Sequence, residues 1–145
     1  MQRIHATCVE IEGHGVLLRG ASGSGKSDLA LRLIHEGAHL VADDYTVIER
    51  RDERLLAAAP PTTAGKIEVR GVGLVNIGGI AITQVRLVVD LVKPEEVERM
   101  PEPQAVMLLD VALPCFKLAP FEAAATAKVR TLMKCVCGTL QIVTA

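Results

Sequence analysis

A glycine-rich segment with a single lysine lies near the start of the chain. The segment "GASGSGKS", residues 20–27, fits the spacing G-x-x-x-x-G-K-[ST]. Glycines let successive backbone N–H groups turn inward toward phosphate oxygens, and the positive end of the following helix strengthens this attraction. Lys26 is then placed to bridge β- and γ-phosphates, and the hydroxyl of Ser27 to bind Mg²⁺. The pattern predicts a nucleoside triphosphate or polyphosphate site formed by Gly20, Ala21, Ser22, Gly23, Ser24, Gly25, Lys26 and Ser27.

Two adjacent carboxylates, Asp43 and Asp44, follow the apolar segment "HLVA". If that segment is a strand beside the one that leads into the glycine loop, both acids lie at the sheet edge where the phosphates bind. One carboxylate can then accept a proton from an incoming hydroxyl while the other faces the metal or a second group. Two nearby carboxylates also raise the pKa of one of them, which suits a base that must later return its proton. The alternative is a polar turn, because acidic residues often cap the turn after a strand.

The elements that must position these residues begin with a strand over residues 3–11 and a second strand that enters the glycine loop. A helix follows the loop, with a stop at Gly37. Beyond the acids we expect a hairpin around "RRDE", strands in "IEVRGVGLVNI" and "VRLVVDLV", and a short helix in "KPEEVERM". In the last third of the chain we expect strands near "AVMLLDV" and "LPCFKL" and a helix over about residues 120–136. These elements predict an α/β domain with a mixed sheet.

Composition limits the possible partners and compartments. The chain has 145 residues, half of them apolar, which suits a single domain. Its 16 basic and 17 acidic side chains give a net charge of -1, too little for general attraction to nucleic acid or an anionic membrane. No segment reads as a signal peptide or a membrane helix, so a cytoplasmic protein is expected. The cysteines predict buried thiols rather than a zinc site or disulfides.

Three segments in this order resemble one family: "GASGSGKSDLAL", "LVADD" and "IEVRGVGLV". Together they resemble HPr kinase/phosphorylase, over about residues 5–77. The resemblance implies a P-loop kinase fold similar to the nucleotide domain of phosphoenolpyruvate carboxykinase. It also implies that ATP phosphorylates a serine of the phosphocarrier HPr, that inorganic phosphate can reverse this to give pyrophosphate, and that the chains assemble as hexamers.

The resemblance also implies roles for individual residues. Asp44 resembles the base that activates the HPr serine and the acid that protonates it in the reverse reaction. Asp43 resembles the neighbouring residue that pairs with a histidine, and His5 falls at the position of that histidine. Glu68 resembles the acidic residue at the metal, beside Ser27. The expected catalytic residues are thus Asp44, Asp43 and His5, and the expected metal ligands are Ser27 and Glu68.

The chain departs from the family pattern in several places. Asp28 replaces a glutamate, and the glycine loop begins at residue 20, so we expect the short form with one domain over residues 1–145. A family arginine in a "GRN" setting has no counterpart; the candidates to replace it are Lys117, Lys128 and Arg130. A basic, aromatic docking helix for HPr is also not recognisable.

Two other functions fit the glycine loop. A nucleoside monophosphate kinase needs a lid of several arginines, and the dense cluster "RRDER" is better interpreted as a solvated hairpin turn. A regulator could bind ATP and a partner without transferring phosphate. The only aromatic residues are Tyr45, Phe116 and Phe121, so stacking on a nucleotide base is scarce and low base selectivity is expected.

Overall fold

The computed structural model describes residues 1–143. Its helices are α1 (Lys26–His35) and α2 (Ala125–Val136), with a 3-10 turn at Pro94–Glu96. The strands are β1 (Gln2–Ile11), β2 (His14–Arg19), β3 (His39–Ala42), β4 (Tyr45–Arg51), β5 (Arg54–Ala58), β6 (Lys66–Val69), β7 (Gly73–Asn76), β8 (Ile82–Leu91), β9 (Gln104–Leu108) and β10 (Val111–Leu118). The expected α/β class with a mixed sheet is confirmed.

The main sheet brings four strand ends to one edge. Its central part runs β3-β1-β2-β8-β10-β9. β2, β8 and β10 are mutually parallel, and β3 runs in their direction because both β3 and β2 are antiparallel to β1. The carboxyl ends of β3, β2, β8 and β10 therefore share one edge, which is where ligands bind in open α/β sheets.

The long strands β1 and β8 also join a second set of partners. The first half of β1 pairs with β4, β4 pairs with β5, and β5 pairs with the start of β8. Together with β2, these strands form a closed circuit β1-β4-β5-β8-β2. An apolar cluster that includes Cys8, Leu17, Ile48, Leu55 and Val88 fills one face of these strands.

A second apolar cluster lies between the other face of the sheet and the helices. It joins Leu29 and Leu33 of α1 and Val129 of α2 to Val16 and Leu18 of β2. β2 thus buries Leu17 on one face and its two neighbours on the other, as the two-residue period of a strand requires. Burial on both faces explains why the central residues of this strand, Val16, Leu17 and Leu18, are all apolar.

Helix α1 ends as predicted. The N–H of Ala38 donates to the carbonyl of Leu33 and that of Gly37 to Ile34, both at 3.0 Å, which is the Schellman arrangement. Gly37 has a φ of 110°, a conformation that glycine adopts without penalty.

Helix α2 begins later than predicted, at Ala125 instead of about residue 120. The preceding residues are held by tertiary contacts: the carbonyl of Pro120 accepts a hydrogen bond from Arg32, and the ring of Phe121 lies against Gly25. These contacts keep the segment out of the helix despite its helix-forming alanines.

The other predicted elements are found with adjustments. The hairpin β4–β5 is confirmed, the segment "IEVRGVGLVNI" folds into a separate two-stranded sheet β6–β7, and the predicted short helix is the 3-10 turn. Cys8 is buried, while Cys115, Cys135 and Cys137 are only partly buried, and all four are free thiols. Within residues 1–143, neither helix has the length and apolar character needed to cross a bilayer.

Candidate phosphotransfer site

The glycine loop connects β2 to α1, as predicted, and its backbone is open. β2 ends at Arg19 and α1 begins at Lys26, with Gly25 as the N-cap at a φ of 103°. Among the amides of residues 21–25, only that of Ser24 donates to an acceptor within residues 1–143, the carbonyl of Ala21 at 3.0 Å. The loop therefore has N–H groups available for phosphate oxygens at the positive end of α1.

Lys26 lies inside the loop. Its Nζ donates to the carbonyl oxygens of Gly20 at 2.8 Å and Ala21 at 3.1 Å, and the residue is only 5% exposed. Burial lowers the pKa of Lys26, and the carboxylates of Asp44 and Asp43 oppose that shift. The loop carbonyls thus hold the ammonium group in place beside the free amides.

Asp43 joins three segments of the site. Its Oδ1 accepts from Ser27 Oγ at 2.6 Å and from Thr7 Oγ1 at 3.1 Å, and its Oδ2 accepts from the backbone N–H of Glu68 at 3.1 Å. The residue is 8% exposed, so these donors replace the water that a buried carboxylate loses. The carboxylate of Asp43 therefore contacts Ser27, at the end of the glycine loop, although β1 separates β3 from β2 in the sheet.

Asp44 occupies a strained turn. Its φ is 65°, and the N–H of Tyr45 donates to the carbonyl of Asp43 at 2.7 Å, which makes Asp44 the centre of a γ-turn with positive φ. Such turns are rare and strained, and strain of this kind concentrates at functional sites. The turn directs the two adjacent carboxylates to different partners.

His5 contacts Asp44 and not Asp43. Its Nε2 lies 2.8 Å from Asp44 Oδ1. The prediction that Asp43 is the acid paired with histidine is therefore wrong. The register of β1 with β4 explains the difference, because it sets His5 opposite Tyr45, next to Asp44, while Asp43 turns inward to Thr7 and Ser27.

Thr7 is a site residue that the sequence reasoning missed. It is fully buried, donates to Asp43 and accepts from the N–H of Asp44 at 3.1 Å, so one hydroxyl holds both acids. A signal was present: Thr7 and His5 occupy alternate positions of β1 and so point to the same face of the strand, and Thr7 interrupts the apolar run of Ala6, Cys8 and Val9.

Glu68 reaches the site through its backbone. Its N–H binds Asp43, while its side chain is exposed. Within residues 1–143, no group of three or more His, Cys, Asp or Glu side chains converges on one point. The oxygens of Ser27 and Asp43 fit Mg²⁺, which binds hard oxygen ligands and takes only a few of them from protein.

Two of the three candidates for the missing arginine have structural partners. Lys128 pairs with Glu122, and Arg130 binds Glu36 at 2.9 Å and the carbonyl of Leu33 at 3.2 Å. Lys117 is exposed on β10, in register with Asp90 of β8. Asp90 in turn binds Arg19, the residue before the loop, at 2.7 Å.

Comparison with known proteins places the chain in a family. The family model described as HPr Serine kinase C-terminal domain matches residues 1–129. Proteins named HPr kinase/phosphorylase from Clostridium acetobutylicum and Clostridium tetani are 45% and 43% identical over 75 residues, which are 52% of this chain and 25% of each relative. The chain thus spans about a quarter of the length of these curated relatives.

A solved structure agrees with this placement over nearly the whole fold. The HPr(Ser) kinase/phosphatase from Coxiella burnetii superposes with a TM-score of 0.83 at 26% identity, covering 92% of this chain and 95% of that one. The chain therefore belongs to the HPr serine kinase C-terminal domain family.

Proposed function

We propose that this domain transfers the γ-phosphoryl group of ATP to a serine of HPr. One observation carries the proposal: the open glycine loop is joined to the acidic pair by the 2.6 Å hydrogen bond from Ser27 to Asp43. Phosphate-binding groups and a candidate base thus belong to one connected site. The names of the matching relatives, HPr kinase/phosphorylase and HPr(Ser) kinase/phosphatase, support HPr as the acceptor.

The loop and Lys26 position the phosphates in this proposal. The free amides of residues 21–25 bind phosphate oxygens, and Lys26 neutralises the charge that builds on the β- and γ-phosphates. Ser27 and Asp43 would hold Mg²⁺, with Glu68 as a further candidate; the metal would neutralise charge on the phosphate oxygens. Positioning and charge neutralisation supply most of the acceleration in phosphoryl transfer, because its transition state is loose.

Asp44 acts as the base. Its side chain is 57% exposed, so an incoming serine hydroxyl can reach it, while His5 holds its Oδ1. The serine oxygen bonds to the γ-phosphorus, the bond from phosphorus to the β–γ bridging oxygen breaks, and the serine proton moves to Asp44. General base catalysis of this kind typically adds roughly 10²–10⁴-fold.

Further parts of the proposal follow the family resemblance. In the reverse reaction Asp44 returns the proton while inorganic phosphate takes the phosphoryl group and gives pyrophosphate. We also propose a cytoplasmic homo-oligomer, a hexamer by resemblance; light scattering of the purified chain tests the assembly.

The geometry of the arginine cluster favours this acceptor over a small molecule. In the β4–β5 hairpin, Nε of Arg50 donates to the carbonyl of Asp52 at 2.7 Å. Nη2 of Arg51 lies 3.1 Å from Oε2 of Glu49. Arg50 also donates to the carbonyl of Leu109 at 3.4 Å, so both arginines bind groups of this chain, whereas a nucleotide lid needs its arginines to clamp a second substrate.

The test is a transfer assay with γ-labelled ATP, Mg²⁺ and HPr from the same organism. The proposal predicts label on a serine of HPr and its release as pyrophosphate after phosphate is added. Label on a nucleoside monophosphate instead would favour a small-molecule kinase. ATP binding with no phosphorylated product would favour a nucleotide-dependent regulator.

A further inference from the structure

The order of the strands places the acidic pair and an aromatic ring on opposite sides of the glycine loop. β3, which leads into Asp43 and Asp44, lies beyond β1 on one side of β2. β10, which leads into Pro120 and Phe121, lies beyond β8 on the other side. Both strands end at the same edge as β2, so the acids and the aromatic ring flank the loop from opposite directions.

Phe121 lies on the loop itself. A Cβ built on Gly25 would be 2.8 Å from Cζ of Phe121, 3.0 Å from its Cε1 and 3.1 Å from Cγ of Pro120. The tip of the ring therefore contacts the loop backbone at the N-cap of α1. Nevertheless Phe121 is 70% exposed, so most of the ring surface is open.

The segment that carries the ring is fixed on both sides. The carbonyl of Pro120 accepts a hydrogen bond from Arg32 of α1, and Arg32 pairs with Asp28 at 3.0 Å. Glu122 pairs with Lys128 of α2, and Ala119 is buried. An exposed aromatic ring on an anchored segment costs little to order when a flat ligand stacks on it.

We propose that the ring of Phe121, which follows the buried Pro120, forms the platform on which the base of the nucleotide stacks. The inference rests on the proposed function, since it requires the loop to bind a triphosphate. With the γ-phosphate directed to the acids, the nucleoside leaves the loop on the opposite flank, where the ring lies. Stacking recognises the flat face that every base has, so the platform accepts different bases and agrees with the low base selectivity expected from the scarcity of aromatic residues.

The test compares Phe121→Ala with the unaltered chain for two ligands, ATP and inorganic tripolyphosphate, by titration calorimetry. The platform predicts that ATP binds on the order of 5- to 150-fold more weakly to the variant, the range that loss of one stacked base gives, while tripolyphosphate binds equally to both. Phe121→Tyr keeps a ring and should restore ATP binding. Met107→Ala, which truncates an exposed apolar side chain on β9, is the control and should change neither affinity.

Two results would overturn the platform: unchanged ATP affinity in Phe121→Ala, or equal weakening of both ligands, which would mean that the ring only braces the loop. If the unaltered chain binds neither ligand, the proposed function itself fails, and the platform fails with it. Circular dichroism of each variant establishes that the fold is kept.

Discussion

Nε2 of His5 lies 2.8 Å from Oδ1 of Asp44, across 39 positions of the chain. The antiparallel register of β1 with β4 creates this contact by setting His5 opposite Tyr45. The rings of His5 and Tyr45 are 5.3 Å apart, and the guanidinium of Arg3 lies 4.3 Å from the centre of the Tyr45 ring. The candidate base is thus oriented by a side chain that is itself packed against a neighbour.

Replacing His5 should slow turnover modestly. His5→Ala removes a hydrogen-bond partner of Asp44, but the pair is partly exposed, so about 0.5–1.5 kcal/mol, or roughly two- to tenfold in kcat, is expected. His5→Asn retains a donor and should recover part of the loss. Steady-state kinetics measure kcat for both variants. An unchanged kcat in His5→Ala would show that His5 does not contribute to turnover.

The strained turn at Asp44 predicts a difference between two small substitutions. Asp44→Gly and Asp44→Ala both lose the carboxylate, but only glycine adopts a φ of 65° without penalty. The glycine variant should be more stable by roughly 0.5–1 kcal/mol, because relief of backbone strain exceeds the extra entropy of the unfolded chain. Urea unfolding of the two proteins checks this. An alanine variant that is as stable as the glycine variant would mean that the turn relaxes in solution.

Gly79 and Gly78 offer a matched pair beside β3. Both have a positive φ, but a Cβ on Gly79 would lie 2.1 Å from the carbonyl oxygen of Leu40, whereas a Cβ on Gly78 meets nothing within 4 Å. Gly79→Ala should therefore cost about 1–3 kcal/mol more than Gly78→Ala, since the strand that positions the acids must shift. Thermal unfolding of both variants measures this difference, and equal stability would contradict the close approach.

The contact between the helices predicts a pH dependence. Glu36, after the last turn of α1, accepts from Arg130 Nε and Thr126 Oγ1, both at 2.9 Å. The hydrogen bond from Arg130, followed by that from Thr126, lowers the pKa of Glu36. A carboxyl with a lowered pKa stabilises the fold above the ordinary glutamate pKa of about 4.3 and loses that effect as the pH falls through its folded value.

Arg130→Met should accordingly reduce the free energy of unfolding by about 0.2–1 kcal/mol at neutral pH, and the difference from the unaltered chain should shrink in acid. Lys134→Met makes the same charge change at an exposed position of α2 and is the control. If the loss of unfolding free energy in Arg130→Met stays constant from pH 7 to well below the ordinary glutamate pKa, the ion pair with Glu36 is not the source of that loss.

The predictions from sequence succeeded where the signal is local. The glycine loop, the strand before it and the stop at Gly37 each depend on neighbouring residues, and the structure places them accordingly. The partner of His5 could not be predicted in this way, because it depends on the register of β4 against β1. The start of α2 was missed for the same reason: contacts of Pro120 and Phe121 with distant α1 and the loop override local helix propensity. Thr7 is recognisable in the sequence as a polar residue of β1, but only the fold shows that its hydroxyl binds both Asp43 and Asp44.

The measurement that tests the central claim most directly compares Lys26→Ala with Asp44→Asn, for ATP affinity and for kcat of transfer to HPr. Lys26→Ala should lose most of its ATP affinity, because it removes the cation inside the loop. Asp44→Asn should bind ATP normally and turn over roughly 10²–10⁴-fold more slowly, because an amide cannot accept the serine proton. Full turnover in Asp44→Asn, or unchanged ATP affinity in Lys26→Ala, would contradict the account.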